Sequence, residues 1–178
     1  MKQRPDAQKN RERLLAAAKL VFSEFGVTAP LELVRERANV GRATLYRNFP
    51  NRQALFLALV DEALDELDLH SDDFWDLLAE AAVKVVENEV SHAIWDAADI
   101  DSDQLAIRHK KLVGIFETPL AIAKQDKSVD PDIAPSDIVL LLRMIGGAVH
   151  SGPTTERRQV AMRAVELLRR GISRFRTY

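Results

Sequence analysis

Leu31 to Phe49, LELVRERANVGRATLYRNF, is the stretch on which the reading of this 178-residue chain turns. Leu31, Val34 and Ala38 recur at i, i+3 and i+7, an apolar stripe at helical period with Glu32, Arg35, Glu36 and Arg37 outside it. Pro30 suits a first helical position, where its missing N–H costs nothing, and Thr28 or Ala29 stands where a cap belongs. Asn39-Val40-Gly41 then marks a sharp turn, since Asn and Gly tolerate left-handed backbone, with Val40 available to plug between two helices. A second helix is expected from Arg42 to Phe49, stopping before Pro50. On it Ala43, Leu45 and Phe49 can face inward, while Arg42, Thr44, Tyr46, Arg47 and Asn48 project elsewhere.

A helix of about two turns carrying guanidinium, hydroxyl and amide groups fits a DNA major groove, where arginine forks onto guanine and asparagine onto adenine. The bland alternative is a short amphipathic surface helix with ordinary polar residues. Charge separates the two. Residues 1–52 carry 11 Lys/Arg against 5 Asp/Glu, a net of +6, whereas residues 53–178 carry a net of −8. An overall charge of −2 therefore hides a basic head on an acidic body, the footprint expected when one end meets phosphate.

Leu14 to Phe56, LLAAAKLVFSEFGVTAPLELVRERANVGRATLYRNFPNRQALF, resembles the N-terminal domain of the TetR family of one-component transcriptional regulators. The resemblance rests on Ala18, Phe22 and Gly26 of a first helix, on Val34 and Ala38 with Val40 in the turn, on Thr44-Leu45-Tyr46 and Phe49, and on Arg52 and Leu55 opening the next helix. It covers about a third of the chain. Four positions depart from the family's habit: Arg35 replaces a small residue of the helix pair, Asn39 a glycine, Gly41 a serine or threonine cap, and Asn48 a frequent histidine. Arg35 is expected to splay the second helix slightly; Gly41 remains an acceptable cap.

The resemblance implies an all-α, two-part chain of about eight to nine helices. Residues 1–51 form a three-helix helix-turn-helix head that binds DNA, and residues 52–178 an effector-binding and dimerisation body. Arg42 and Arg47 are assigned to base edges or adjacent phosphates, Thr44, Tyr46 and Arg52 to phosphates, and Asn48 to either; Thr28 and Ala43 complete the DNA-facing set. Asn51 and Arg52, opening the fourth helix, suit a phosphate clamp.

Along the rest of the chain, Met1 to Ala7 reads as a frayed basic arm, and Lys9 to Phe25 as a scaffold helix with Leu14, Leu15, Ala18, Val21, Phe22 and Phe25 on its stripe. The head has few apolar residues of its own, so Leu55, Phe56 and Leu59 of the helix from Arg52 to about His70 must complete its core. From Asp61 to Asp103 there are 15 acidic residues and one base, Lys84, a solvated acidic face that also repels a duplex. A helix from about Asp73 to Ala98 is expected, capped by Ser71 or Asp72. Another runs from about Asp103 to Lys124, interrupted by Gly114 and Pro119. The family's central helices surround an effector pocket, and its candidate lining here is Trp75, His92, Trp95, His109, Phe116 and Met144, each of which also suits plain core packing.

Lys127 to Pro135 is a loop, Ser136 or Asp137 starts an apolar helix to about His150, and Thr154 to about Phe175 forms the last helix. These two apolar helices, one with Gly146-Gly147 permitting close approach, resemble the family's dimerisation hairpin, and a two-fold dimer would read half-sites one helical turn apart.

Other functions find little support. No cysteine is present, which removes disulfides, thiolate nucleophiles and zinc fingers. Glu89-Val-Ser-His92 has the Glu-x-x-His spacing of di-iron bundles, which need two copies. His70, Asp72 and Asp73 suit an exposed helix-loop junction better than a metal, and no phosphate-binding glycine loop or nucleophile elbow occurs. The longest C-terminal apolar run, Ile138 to Leu142, is cut by Arg143, far short of the ~20 residues of a membrane span. The charged N-terminus lacks the apolar core of a signal peptide. The expectation is a non-enzymatic, cytoplasmic regulator without cofactor or metal, a repressor by the family's usual sign. It is a homodimer on a palindromic double-stranded operator and is released by a small-molecule effector; the competing reading is an all-helical interaction module whose basic head binds an acidic partner regardless of base sequence.

Overall fold

In a computed structural model, which describes residues 4–67, 73–87, 102–149 and 153–172, helices are the only regular elements among the described residues. These hold eight helices: α1 (Arg4–Phe25), α2 (Leu31–Ala38), α3 (Arg42–Asn48), α4 (Arg52–Leu67), α5 (Phe74–Glu87), α6 (Ser102–Gln125), α7 (Asp137–Gly147) and α8 (Thr154–Ile172). They fall into two compact units, with the boundary in the chain between Glu62 and Ala63, inside α4.

In the first unit, Leu14, Ala18, Val21 and Phe22 of α1 are buried with Val34 and Ala38 of α2, Leu45 of α3, and Phe49 just beyond it. The expected help from α4 is present: Leu55, Phe56 and Leu59 are buried, and the Phe56 ring meets Phe22 edge-on at 5.4 Å between centroids. Two expectations about α1 are corrected. It begins at Arg4, so the segment read as a frayed arm is helical from there, with Asp6 in the first turn where the helix dipole favours an anion. Phe25 is 53% exposed, because the last turn of α1 runs past the core before Gly26, at φ +79°, ends the helix with a bond from its N–H to Phe22 O.

In the second unit α5 is the central rod. Phe74, Trp75, Leu77, Leu78, Ala81, Ala82, Val83 and Val86 are all buried, with α6, α7 and α8 packed against it. Its cap is Asp73, one or two residues later than expected: the Asp73 carboxylate accepts the N–H groups of Trp75 and Asp76 at 2.8 and 2.9 Å. The second half of the expected 73–98 helix lies outside the described residues, as do the ends of the expected helices at His70, His150 and Phe175. α6 runs unbroken through Gly114 and Pro119, contrary to the expected interruption. A proline forfeits one helical hydrogen bond, a loss that burial of Phe116, Leu120 and Ala123 beside it offsets.

α6 closes on Lys127 at φ +64°, with Ser128 N–H bonded to Ala123 O and Lys127 N–H to Lys124 O, the paired pattern that satisfies final carbonyls. Asp137 Oδ2 accepts the N–H of Ala134 and fixes the loop against the start of α7. Among the described residues no helix is long and apolar enough to cross a membrane, and no three His, Asp or Glu side chains come together as a metal site.

Candidate nucleic-acid interface

The turn between α2 and α3 is made by Asn39. It adopts φ 51°, ψ 52°, its N–H bonds Glu36 O, and Val40 N–H bonds Arg35 O. Asparagine thus fills the left-handed closing position that glycine takes more easily. Pro30 is the cap of α2, one position before the expected first turn, and neither Thr28 nor Ala29 caps it: Thr28 is exposed and Ala29 buried. Gly41 caps α3 through backbone alone, at φ −72°, so the expected left-handed freedom is used at Asn39 and not at Gly41.

α3 is anchored by Leu45 and Phe49, both essentially inaccessible, and the Arg11 guanidinium stacks over the Phe49 ring at 4.7 Å. Its other face meets solvent. Arg42, Ala43, Tyr46 and Arg47 are exposed and Thr44 and Asn48 half-buried; Ala43 therefore does not face inward.

The polar side chains of that face are held. Arg42, with its side chain 77% exposed, pairs through Nε with Glu32 Oε1 at 3.6 Å, and its guanidinium lies over the Tyr46 ring at 5.7 Å. Arg47 folds back on its own helix, Nε donating to Ala43 O at 3.2 Å and Nη2 to Thr44 Oγ1 at 3.3 Å. Asn48 Nδ2 donates to Thr44 O at 2.8 Å.

Arg35, expected to splay the helix pair, instead bridges the turn. Its Nε donates to Glu32 Oε2 at 2.6 Å, Nη2 to Glu36 at 3.0 Å, and Nη1 to Val40 O at 3.4 Å. The bond to Glu32 is the chief cause of a guanidinium pKa above the ordinary arginine value. The Glu32 carboxylate thus spans two arginines, one in each helix, a role the sequence reading missed. The signal was the opposite charges at positions 32, 35 and 42 around a short turn.

Arg52 departs from the phosphate role expected of it. Its guanidinium turns back under the loop after α1, donating through Nη1 to Val27 O and through Nη2 to Ala29 O at 2.6 Å and Thr28 O at 3.5 Å. It also lies 5.9 Å from the centroids of both Phe22 and Phe56. Burial lowers its pKa from the ordinary arginine value, and three carbonyls occupy its donors. Asn51, the other half of the expected clamp, caps α4 with Oδ1 on Ala54 N–H at 2.8 Å. Both side chains organise the head instead of reaching outward.

Of the six residues expected to line an effector pocket, four are among the described residues. Trp75 is buried and its Nε1–H has no hydrogen-bond partner among the described residues. Phe74 meets Trp75 edge-on at 5.1 Å and Phe116 at 6.0 Å, an aromatic cluster that includes one residue, Phe74, absent from the candidates. His109 is half-buried, and desolvation, then the Arg143 charge, lowers its pKa from the ordinary histidine value. Met144 is 57% exposed, a turn beyond exposed Leu140 on α7, so within one chain it lines nothing with Trp75 and Phe116. His92 and Trp95 lie outside the described residues.

Residues 14–59 match the family model described as bacterial regulatory proteins, TetR family. The whole fold is similar to that of a TetR transcriptional regulator from Streptomyces coelicolor, 28% identical, with 91% of this chain and 97% of that one covered and a TM-score of 0.57. A TetR transcription regulatory protein from Mycobacterium vanbaalenii is 23% identical over 95% and 98% of the two chains, TM-score 0.64, and Salmonella enterica GusR 18% identical over 98% of each, TM-score 0.64. No curated protein matches the sequence. With a helix-turn-helix built on the matched residues and a like fold over nearly the full length, this chain is similar to the DNA-binding transcriptional regulators of the TetR family.

Proposed function

We propose that the chain is a homodimeric repressor that holds a palindromic double-stranded operator through residues 1–51 and releases it when residues 52–178 bind a small-molecule effector. The observation that carries this reading is the division of α3. Leu45, with Phe49 beyond it, roots the helix in the core, while Arg42, Ala43, Tyr46 and Arg47 share its solvent face. Arg42 and Arg47 address base edges or neighbouring phosphates, Thr44 and Tyr46 phosphates, and Asn48 either. Thr28 is exposed just ahead of α2, which supports keeping it in the DNA-facing set. Arg52 is assigned to holding the head together and no longer to phosphate.

Dimerisation is supported by exposed apolar residues on both terminal helices, Leu140 and Met144 on α7 and Val160 and Leu167 on α8. Gly147 is exposed with open space where a Cβ would stand, which lets another backbone approach closely. For the effector, the unpartnered Trp75 N–H beside Phe74 and Phe116 favours a molecule with an apolar body and one hydrogen-bond acceptor. An effector that prefers one arrangement of the body shifts the population away from the DNA-competent form. No catalytic role is assigned, and the site of action is the cytoplasm, where operator DNA lies.

Selection of bound fragments from random duplex DNA, with and without a metabolite library, tests the proposal. A single palindromic site held at least ~10³-fold more tightly than bulk DNA is expected. Equal binding of every duplex would instead identify a helical interaction module.

A further inference from the structure

We propose that Glu32, outside the reading helix, sets the sequence selectivity of the head by fixing which edge of Arg42 faces DNA and by discouraging its use on phosphate. The proposal rests on the reading of Arg42 as a base-contacting side chain. Glu32 Oε1 pairs with Arg42 Nε at 3.6 Å, and Oε2 accepts from Arg35 Nε at 2.6 Å. Arg35 is itself tied to Glu36 and to the turn carbonyl of Val40. The carboxylate is thus braced from the turn side and presents its remaining oxygen to Arg42, whose guanidinium, unlike that of Arg47, lies over a ring of its own helix without hydrogen-bonding to that helix.

That placement has two consequences. With Nε turned toward the carboxylate as an ion pair, the two terminal nitrogens of Arg42, which have no hydrogen-bonded partner among the described residues, form the open fork. Such a fork matches two acceptors side by side, the pattern that guanine O6 and N7 present in the major groove. A phosphate accepts the same fork but also any single N–H, so it demands no such orientation. The Glu32 charge also repels the duplex backbone, so an arginine leaning toward phosphate loses its carboxylate partner and brings that carboxylate with it toward like charge. Sequences that lack two acceptors side by side leave Arg42 a single base acceptor or phosphate, and are penalised more than the right one.

The test uses the intact chain on the selected operator and on random duplex, each over a salt series. In Glu32→Gln, random-duplex affinity should rise with a salt slope steeper by about 0.9 for each phosphate gained. The operator-to-random ratio should fall by about fivefold or more, the low end of what one forked base contact contributes. Glu32→Asp keeps the charge but shortens the reach, and should lower the ratio with the slope unchanged. In an Arg42→Ala background neither change should move the ratio, which separates action through Arg42 from a general loosening of the head; unchanged melting temperatures confirm folding, and if Glu32→Gln fails to fold, Glu32→Asp carries the test. An undiminished ratio in both variants, or an equal fall with Arg42 already removed, would overturn the proposal. If the unaltered chain treats all duplexes alike, the DNA-reading assignment itself fails, and this proposal with it.

Discussion

Replacement of Arg52 by alanine should unsettle the head without touching DNA contact. The guanidinium donates to the carbonyls of Val27 and Ala29, more loosely to Thr28, and borders the rings of Phe22 and Phe56. A hydrogen bond from a charged group contributes about 1.5–3 kcal/mol when buried, and a cation over an aromatic face about 0.5–1 kcal/mol when exposed. Here Ala29 is buried, whereas Thr28 is exposed and water can replace its bond. Arg52 is itself half-buried, so solvent screening lowers the bonds to Val27 and Ala29 toward the bottom of the range. The expected loss is about 2–3 kcal/mol, or about 4–12 °C in melting temperature for a chain of this size. Arg52→Lys should recover less than half, because an ammonium cannot fork across two carbonyls. Thermal unfolding and amide exchange in α1 and α4 measure the first effect, and the salt dependence of duplex binding, taken where each variant is folded, measures the second. Unchanged stability with a salt slope shallower by about 0.9 would return Arg52 to phosphate and refute the reasoning.

Asn39→Ala should cost about 1 kcal/mol, since a Cβ is disfavoured at φ 51°, while Asn39→Gly should be neutral or slightly stabilising; chemical denaturation distinguishes them, and equal stability of all three chains would contradict the turn geometry. Because the folded-state pKa of His109 is depressed by desolvation and Arg143, its contribution to stability is present above pH ~6.5, the unfolded value, and is lost as pH falls toward the folded pKa. Unfolding free energy at pH 5.5 should therefore fall relative to pH 7.5 by less in His109→Gln than in the parent, and an identical fall would exclude His109. Leu140→Glu with Met144→Glu, both on exposed positions of α7, should leave the fold within about 0.5 kcal/mol while converting a dimer to single chains in sedimentation; an unchanged mass would move the interface elsewhere.

The helix-turn-helix was legible because its signals are local. Val34, Ala38, Leu45 and Phe49 face inward as their spacing requires, and the Asn39 turn follows from one residue's tolerance of left-handed backbone. Phe25 and Ala43 were misplaced for the converse reason: at a helix end or on a two-turn helix, one residue of drift moves a side chain from core to solvent, and periodicity does not resolve that. The caps at Pro30 and Asp73 stand one or two places from expectation because several adjacent residues had competent side chains and only tertiary packing selects among them. The candidate pocket residues were least legible, since Trp75, Phe116 and Met144 are all large side chains suited to a core, and only the fold separates two buried rings from an exposed thioether.

Arginine is where residue type said least about local partners. Positions 35, 42, 47 and 52 were all assigned by type, yet the fold gives each a different acceptor: carboxylates and a turn carbonyl for Arg35, Glu32 for Arg42, its own helix for Arg47, and loop carbonyls for Arg52. A five-donor fork on a long stem satisfies itself wherever oxygen lies within reach, and the sequence does not record which oxygen that is. The consequence for binding is energetic. On the proposed reading, contacts from Arg47 and Asn48 to a duplex exchange existing hydrogen bonds for new ones, so the net gain is a difference and a mismatched base returns each side chain to a satisfied resting place. Such a face loses little on wrong DNA by stranding a donor, and its discrimination must come from groups whose geometry is imposed from outside the helix, which is the position Glu32 holds toward Arg42.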